Sequence, residues 1–456
     1  MLREYIKNRW PLFYGFLKRG KGRITAFLKK YVDPMYMIYR NRKLAREWCV
    51  CEGAYHKKVA EISRNKKIKI VFLIIHRSTW KFDNLFEAMN KENKFKPMVF
   101  VVKDISRRAM SSPKWSNEEF IQSYKLFESR GWDVFADEQM VENDSSVRST
   151  SLSELNPDIV ILNNPHGLAG HEYSNDLVKK YLTCYIPYHF EGTKYNNNQD
   201  QYNSSMHNNF WKIYAPHIVS LEVYKKSQAI KAKNVTLTGH PFVDDLTSTR
   251  DFNPDPWKPQ GKRKFRIIWA PHQVLADGVL PRSCFLDQHQ FFLDLAKEFY
   301  EEVQWCFKPH PLLRPNLENH PDWGYERTKE YFSRWEDMEN SQINTGSYVE
   351  LFKYSDALIH DSYSFMIEYL FLNKPLVFIM RSDKQKNFLN KFGFEALSAH
   401  IQASSEDDIR SFIKCLTEKK SLGEVERKKF LNRYWDSINC VSPSKSIIKD
   451  LKASLR

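Results

Sequence analysis

Residues 70–75 read Ile-Val-Phe-Leu-Ile-Ile, a continuous apolar run that follows the basic stretch at residues 64–69. Such a run predicts a strand of a buried parallel sheet, because helices cover both faces of a sheet of this kind. Further apolar runs at residues 98–102, 132–135 and 157–162 alternate with helical stretches at residues 84–93 and 117–130. This alternation predicts a doubly wound α/β domain.

The first domain continues with short strands that we expect at residues 184–187, 214–219 and 235–238. A linker that contains Pro254, Pro256 and Pro259 follows, and the alternation of strands and helices begins again after it. A second series follows, with strands at residues 265–270, 303–307, 357–359 and 376–380 and helices at residues 287–302, 363–372 and 424–451. The predicted organisation is an N-terminal segment (1–65), an N-terminal Rossmann-like domain (66–250), a linker (251–264), a C-terminal Rossmann-like domain (265–423) and C-terminal helices that pack back (424–456).

The composition excludes a disordered or fibrous chain, because 42% of the 456 residues are hydrophobic. The net charge is +15, which predicts an anionic partner. Residues 1–47 carry 13 Lys and Arg against 3 acidic residues, so two thirds of the charge excess lies in this segment. Its basic residues are mixed with bulky apolar ones, a pattern typical of a helix on an anionic membrane surface.

The N-terminal segment resembles neither a membrane span nor a secretory signal, since no apolar run reaches the required length without charges. The alternative is a basic amphipathic helix that packs on the protein's own body. Nucleic acid is disfavoured as a partner, because binding along a whole surface would need basic residues throughout the chain. The seven cysteines are scattered and odd in number, which indicates a reducing compartment. We therefore expect a peripheral protein on the cytoplasmic face of the cell membrane.

Polar residues follow the predicted strands at the points where each strand ends. In doubly wound sheets ligands bind beyond these carboxyl ends. The candidate binding residues are His272 after the first strand of the second series, Lys308 and His310 after the next, His360, Asp361, Ser362 and Ser364 after the third, and Gly239 and His240 in the first domain. A single histidine in such a place is more often structural, but four histidine-bearing strand ends favour a site.

The segment from His360 to Glu368 suggests how an anion would be held. Asp361 or Ser362 can cap the next helix, and the free N–H groups at a helix start attract phosphate. Glu368 lies one turn beyond Ser364 and suits ribose hydroxyls. The alternative is an ordinary capped helix with Glu368 at the surface.

Residues 358–370, Leu-Ile-His-Asp-Ser-Tyr-Ser-Phe-Met-Ile-Glu-Tyr-Leu, with Asn-Lys-Pro at 373–375, resemble the signature of the CDP-glycerol glycerophosphotransferase family. These are teichoic-acid polymerase-like enzymes with a GT-B fold. Further matches lie in the family's order: Gly-His-Pro at 239–241, Trp-Ala-Pro-His at 269–272 and Phe-Lys-Pro-His-Pro at 307–311. Trp-Lys-Phe-Asp at 80–83 and Tyr-Ile-Pro-Tyr at 185–188 resemble its surface-polysaccharide branch. The resemblance spans roughly residues 66–440 and implies two Rossmann-like domains that face a cleft.

The resemblance implies a transferase that moves a polyol phosphate from a CDP-linked donor to the hydroxyl of a membrane-bound polymer or lipid-linked acceptor. It places the donor on the second domain, where Lys308, His310, Ser362 and Ser364 would neutralise the pyrophosphate. His272 would support the same end, Asp361 would orient its loop, and Glu368 would hold the ribose. We expect neither an essential metal nor a cofactor.

The chain departs from the family pattern in two places. The family's His-Gly pair supplies the presumed base, but the matching place here reads Pro-Tyr-His-Phe, so His189 is the first candidate and His166, in a true His-Gly pair, the second. Phe242 stands where the family has arginine, which removes a fixed positive charge. Two alternatives therefore stay open: a glycosyltransferase that uses a nucleotide sugar on the same scaffold, and a non-enzymatic membrane or RNA-binding scaffold.

Overall fold

The computed structural model describes residues 33–106, 110, 113–141, 146–170, 172–194, 198–248, 254–278, 281–435 and 442–456. Within these residues the strands form two parallel sheets, one of eight strands and one of six. The predicted pair of doubly wound domains is therefore confirmed.

The first sheet has the strand order β4-β3-β2-β1-β5-β6-β7-β8. Its strands are β1 (Ile68–Ile74), β2 (Phe95–Val101), β3 (Val134–Asp137), β4 (Ser149–Thr150), β5 (Ile159–Leu162), β6 (Leu182–Tyr185), β7 (Lys212–Ala215) and β8 (Val235–Leu237). Its helices are α1 (Asp33–Ile62), α2 (Asp83–Asn90), α3 (Pro113–Glu128), α4 (Leu152–Leu155), α5 (Leu177–Lys180), α6 (Gln199–Tyr202), α7 (Ser205–Asn209), α8 (Ile218–Ser227) and α9 (Phe242–Thr247). The strand order reverses between β1 and β5, and such a switch point opens a crevice at the carboxyl ends of the strands.

The second sheet has the order β11-β10-β9-β12-β13-β14 and reverses between β9 and β12. Its strands are β9 (Phe265–Ala270), β10 (Val303–Phe307), β11 (Ser341–Ile343), β12 (Ala357–His360), β13 (Leu376–Ile379) and β14 (Ile401–Ala403). The helices of the second half are α10 (Phe285–Glu298), α11 (Leu313–Glu318), α12 (Gly324–Asp337), α13 (Val349–Tyr354), α14 (Phe365–Glu368), α15 (Lys391–Ser398), α16 (Glu406–Thr417), α17 (Glu424–Tyr434) and α18 (Pro443–Ser454). Short 3-10 turns lie at Arg77–Thr79, Glu138–Met140, Tyr369–Leu372 and Asp383–Phe388.

Some element boundaries differ from those that the sequence predicts. The strand expected at residues 214–219 ends at Ala215, because the His217 ring accepts the Ser220 amide and starts α8. The helix expected at residues 363–372 is α14 followed by the 3-10 turn Tyr369–Leu372. The helical stretch expected at residues 424–451 consists of two helices, α17 and α18.

The N-terminal helix α1 packs on the first domain. Trp48, Tyr55 and Ile62 belong to the same buried cluster as strand β1, and the Tyr55 hydroxyl lies 3.0 Å from the carbonyl oxygen of Val178. The opposite side of α1 exposes apolar residues such as Met35 and Tyr39. For residues 33–62 the structure thus shows the packed helix that the sequence left as an alternative. Residues 1–32 lie outside the described residues, so the predicted membrane contact stays a prediction.

The C-terminal helix α18 packs on the first domain. Ile447, Ile448 and Leu451 of α18 lie in the core of the first domain, whereas Phe430 and Tyr434 of α17 pack in the second. No described helix is long and apolar enough to cross a bilayer.

Segments that follow the carboxyl ends of the two sheets contact each other, and part of this contact is made by the backbone. The segment after β6 pairs with the segment before α15 through a bridge between Thr193 and Leu389. The Asn390 amide donates to the Gly192 carbonyl oxygen at 3.1 Å. A Cβ on Gly393 would lie 2.0 Å from that same oxygen, so only glycine allows this approach.

Candidate functional site

Three basic residues follow strands β9 and β10. The rings of His272 and His310 lie 5.2 Å apart, centroid to centroid. The Lys308 ammonium donates to the Gly346 carbonyl oxygen at 3.0 Å and lies 5.8 Å from the centre of the Tyr348 ring. Because Lys308 is buried, desolvation lowers its pKa to about 8. The structure therefore brings the rings of His272 and His310 together, as the sequence predicts, and directs Lys308 towards Gly346 and Tyr348.

A backbone hydrogen bond fixes which ring nitrogen of His310 carries the hydrogen. Its Nδ1 accepts the backbone N–H of Leu312 at 3.2 Å, so the neutral ring carries its hydrogen on Nε2. Nε2 can donate that hydrogen to an anion. His310 therefore supplies a hydrogen-bond donor beside Lys308 even when the ring is uncharged.

Asp361 holds the loop after β9 in place. Its carboxylate accepts the His272 amide at 2.6 Å, the Ser283 hydroxyl at 2.6 Å and the Cys284 amide at 2.8 Å. Neither Asp361 nor Ser362 caps α14. The N-cap is Ser364, which makes no capping side-chain bond within the described residues. Asp361 thus orients the segment that carries His272, and the anticipated capped helix is replaced by a single short turn.

His360 is fully buried behind this loop. Its Nδ1 lies 3.0 Å from the Ser362 carbonyl oxygen, and its Nε2 lies 3.3 Å from Nε2 of His400. Nδ1 of His400 faces the Ala396 carbonyl oxygen at 2.8 Å. Carbonyls only accept, so in the neutral rings both Nδ1 atoms carry the hydrogen. Burial lowers the pKa of both rings and so disfavours a further proton between the two Nε2 atoms. This geometry favours a supporting role for His360 beneath Ser362, and its donor contact stays a prediction.

Glu368 is also fully buried, and its carboxylate is engaged from both sides. Oε1 forms an ion pair with Lys81 of the first domain, and Oε2 accepts the Tyr348 hydroxyl at 2.8 Å. The contact of Glu368 with the donor ribose stays a prediction, and it requires the Lys81–Glu368 ion pair to separate. The sequence analysis placed Lys81 in a family motif and assigned it no role. Its signal was a lysine between the aromatic residues Trp80 and Phe82, shortly after β1.

Gly239 and His240 lie in a tightly packed turn of the first domain. The His240 Nε2 donates to the Pro187 carbonyl oxygen at 2.6 Å, and its Nδ1 accepts the Phe242 amide at 3.1 Å. Burial, with the nearby Lys81 charge, lowers the pKa of His240 to about 3. Gly239 has φ = 80°, and a Cβ there would lie 3.0 Å from Pro443. The geometry of both residues favours a structural role, and their contact with the donor stays a prediction.

The two candidate bases, His189 and His166, differ in hydrogen bonding and in exposure. Nδ1 of His189 accepts the Glu191 amide at 2.9 Å, so the neutral ring presents an Nε2–H donor. Burial, Lys81 and His166 together lower the pKa of His189 to about 3. His166 is exposed to solvent, and the Asp200 carboxylate opposes the desolvation that lowers its pKa. Of the two residues, His166 is the more exposed.

No group of three or more His, Cys, Asp or Glu side chains in the described part of the chain is arranged to hold a metal ion. The prediction that no metal is essential stays a prediction.

Two doubly wound domains whose strand ends share one cleft define a GT-B-like protein. The chain belongs to the family described as CDP-Glycerol:Poly(glycerophosphate) glycerophosphotransferase, which matches residues 56–437. The predicted family is confirmed, and with it the assignment of the chain as a transferase enzyme.

Solved structures agree with this fold. The wall teichoic acid polymerase TagF has a TM-score of 0.50 at 12% identity, over 93% of this chain and 98% of that one. A putative UDP-N-acetylglucosamine 2-epimerase from Listeria monocytogenes has a TM-score of 0.50 at 13% identity, over 85% of this chain and 96% of that one. At these identities both structures show the fold alone. Comparison with curated proteins gives no match.

Proposed function

We propose that the protein transfers a polyol phosphate from a CDP-linked donor to a hydroxyl group of a cell-surface polymer or its lipid-linked precursor. The observation that carries the proposal is the Lys81–Glu368 pair, which joins the turn after β1 to the family's signature segment. Because Lys81 also lowers the pKa of His189, that ring lies close to the same point. The candidate groups of both domains therefore converge on one place in the cleft.

The second domain binds the donor in this proposal. Lys308 and the Nε2–H of His310 face the pyrophosphate, and His272 supports the same end. The short turn at Ser362 and Ser364 adds hydroxyl and amide donors. Preorganised donors of this kind stabilise the charge that develops on a phosphoryl group during transfer.

In the reaction the acceptor oxygen attacks the β-phosphorus of the donor and forms a new phosphate ester. The bond from this phosphorus to the bridging oxygen breaks, and CMP leaves with the bond's electrons. The acceptor's proton passes to a base, for which we propose His166 because it is the more exposed of the two candidate histidines. His189 then serves as an N–H donor in the same cleft.

A nucleotide sugar is the second candidate donor. Phe242 replaces the arginine of the family motif, and its ring packs against Tyr348 at 5.8 Å and beneath Lys81. An apolar ring at this position offers no charge to a polyol phosphate. A donor whose transferred group is a neutral sugar would not need that charge.

We further propose that the protein acts at the cytoplasmic face of the membrane, with residues 1–47 on the anionic surface. Support comes from the charge of this segment and from Met35, Ile38 and Tyr39, which are exposed on the described part of α1. Co-sedimentation with phosphatidylserine vesicles tests this proposal. The full chain should pellet, and a chain that starts at Asp33 should pellet less; equal pelleting of the two would refute a role for residues 1–32.

A thermal-shift panel with CDP, CMP, CDP-glycerol, CDP-ribitol, UDP and GDP tests the donor class. A ligand at 100 times its dissociation constant stabilises the folded protein by about 2.7 kcal/mol. Selective stabilisation by cytidine nucleotides is expected, and His310→Ala should remove it, whereas the exposed His56→Ala should not. Preference for UDP or GDP would refute the CDP-linked donor in favour of a nucleotide sugar.

A further inference from the structure

Lys81 is a buried cation at the centre of the cleft. It follows β1 in the first domain, its side chain is 5% exposed, and it pairs with the fully buried Glu368 of the second domain. Its ammonium lies 5.2 Å from the centre of the Phe242 ring. It also lies close enough to His189 and His240 to disfavour their protonated forms. The cation is therefore surrounded by residues from the carboxyl ends of several strands.

A purely structural contact between the two domains does not require a buried ion pair. Removing a lysine and a glutamate from water is costly, and an apolar pair of similar size is often at least as stable. The two sheets are already joined by the backbone contacts of Gly192, Thr193 and Asn390. A buried charge pair at the ligand-binding edge of both sheets therefore favours a function in which one partner is exchanged.

We propose that Lys81 binds the phosphoryl group of the donor from the first-domain side, and that the Glu368 carboxylate holds the place of this anion in the free protein. The proposal rests on the proposed function in that it assumes a phosphate-containing donor. A carboxylate and a phosphate oxygen make the same kind of charge-assisted hydrogen bond to a lysine.

The exchange gives each partner a new contact. Lys81 meets the phosphoryl oxygens opposite Lys308 and His310, so that positive or donating groups flank the anion on both sides. Glu368, once released, can accept hydroxyl groups such as those of ribose. Tyr348 links the two sides, because its hydroxyl binds Glu368 and its ring lies beside Lys308.

Calorimetric titration of inorganic pyrophosphate into the full chain tests the exchange without ribose. Lys81→Met should weaken pyrophosphate binding about 10- to 100-fold, the loss expected for a hydrogen bond to a charged group. Lys81→Arg should retain most of the affinity. Glu368→Gln should strengthen pyrophosphate binding, because the competing carboxylate is removed.

The double variant Lys81→Met with Glu368→Met separates function from stability. It leaves no unpaired buried charge, so urea unfolding should show stability near that of the wild type. Its pyrophosphate affinity should stay as low as that of Lys81→Met alone. Recovery of the affinity together with the stability would show a structural clamp and overturn the inference, as would weaker binding by Glu368→Gln or no pyrophosphate binding by the wild type.

The same titrations distinguish this inference from the proposed function. Pyrophosphate binding that depends on Lys81, in a protein that no cytidine nucleotide stabilises, would refute the CDP-linked donor and support the role of Lys81. Stabilisation by CDP-glycerol with pyrophosphate binding unaffected by Lys81→Met would support the donor and overturn the inference.

Discussion

Acidification from pH 7.5 to 5.5 should remove the stability that two histidines of the first domain contribute, because the fold keeps both rings neutral. Nε2 of His217 donates to the Phe190 carbonyl oxygen at 2.7 Å, and its Nδ1 accepts the Ser220 amide at 3.0 Å. His240 is arranged in the same way between Pro187 and Phe242. A second proton on either ring would set two N–H groups against each other, in a site that is 1% exposed.

The magnitude follows from the pKa difference between the folded and unfolded states. Burial lowers the pKa of both rings to about 3, whereas a histidine in the unfolded chain titrates near 6.5. Between these values the unfolded chain binds the additional protons, so the contribution of each ring to stability is greatest above pH 6.5 and falls as the pH drops towards 3. Each histidine should cost about 1.4 kcal/mol between pH 7.5 and 5.5, or about 2.7 kcal/mol for the pair.

Urea unfolding of the wild type and of a non-titrating variant at pH 7.5, 6.5 and 5.5 isolates this loss. His240→Asn keeps an acceptor for the Phe242 amide but does not titrate, so its stability should change about 1.4 kcal/mol less over this range than that of the wild type. The matched control is His56→Asn on the exposed side of α1, which should show the wild-type pH dependence. An unchanged pH dependence in His240→Asn would refute the argument that folding keeps this ring neutral.

Three further predictions concern packing and the loop after β9. Gly393→Ala would place a Cβ 2.0 Å from the Gly192 carbonyl oxygen, so urea unfolding should show a loss of about 1–3 kcal/mol. Gly261→Ala, whose Cβ would meet no described atom within 4 Å, should stay within about 0.5 kcal/mol of the wild type, and equal effects would contradict the close approach. Asp361→Asn should raise the donor KM about tenfold, because the carboxylate that holds the His272 amide is weakened; an unchanged KM in steady-state assays would argue against this role. Tyr55→Phe should cost about 1 kcal/mol in thermal unfolding, since its hydroxyl contacts the Val178 and Asn209 carbonyls; no change would show that α1 docks without this contact.

Much of the fold was predictable, because a buried parallel strand is a local signal. The strand at residues 265–270 was predicted to the residue, and strand β1 was displaced by only a few positions. Strands β4, β11 and β14 were missed, since two or three residues carry no periodicity. A basic amphipathic helix was predicted within residues 1–47, whereas α1 covers Asp33–Ile62. Its docking depends on Trp48 and Tyr55, which reach a surface that only the folded domain provides.

The candidate site was predictable to a smaller extent. His272, Lys308 and His310 were found because polar residues after apolar runs meet at one edge of a parallel sheet. Lys81 was overlooked as a site residue, because its partner Glu368 is 287 residues away and nothing near Lys81 in the sequence indicates it.

By itself the sequence determined the two doubly wound domains, the family and the edge of each sheet at which a ligand would bind. These features depend on apolar runs and on the residues that directly follow them, which neighbouring positions in the chain specify. Only the tertiary structure decided what each histidine presents there. His217 and His240 have both ring nitrogens bonded to backbone groups, His310 has its Nδ1 bonded to the Leu312 amide, and His166 is exposed to solvent. The Nδ1 bonds of these rings join residues two or three positions apart, but the Nε2 bonds of His217 and His240 and the Lys81–Glu368 charge pair join distant segments. Those long-range contacts exist only once the chain has folded.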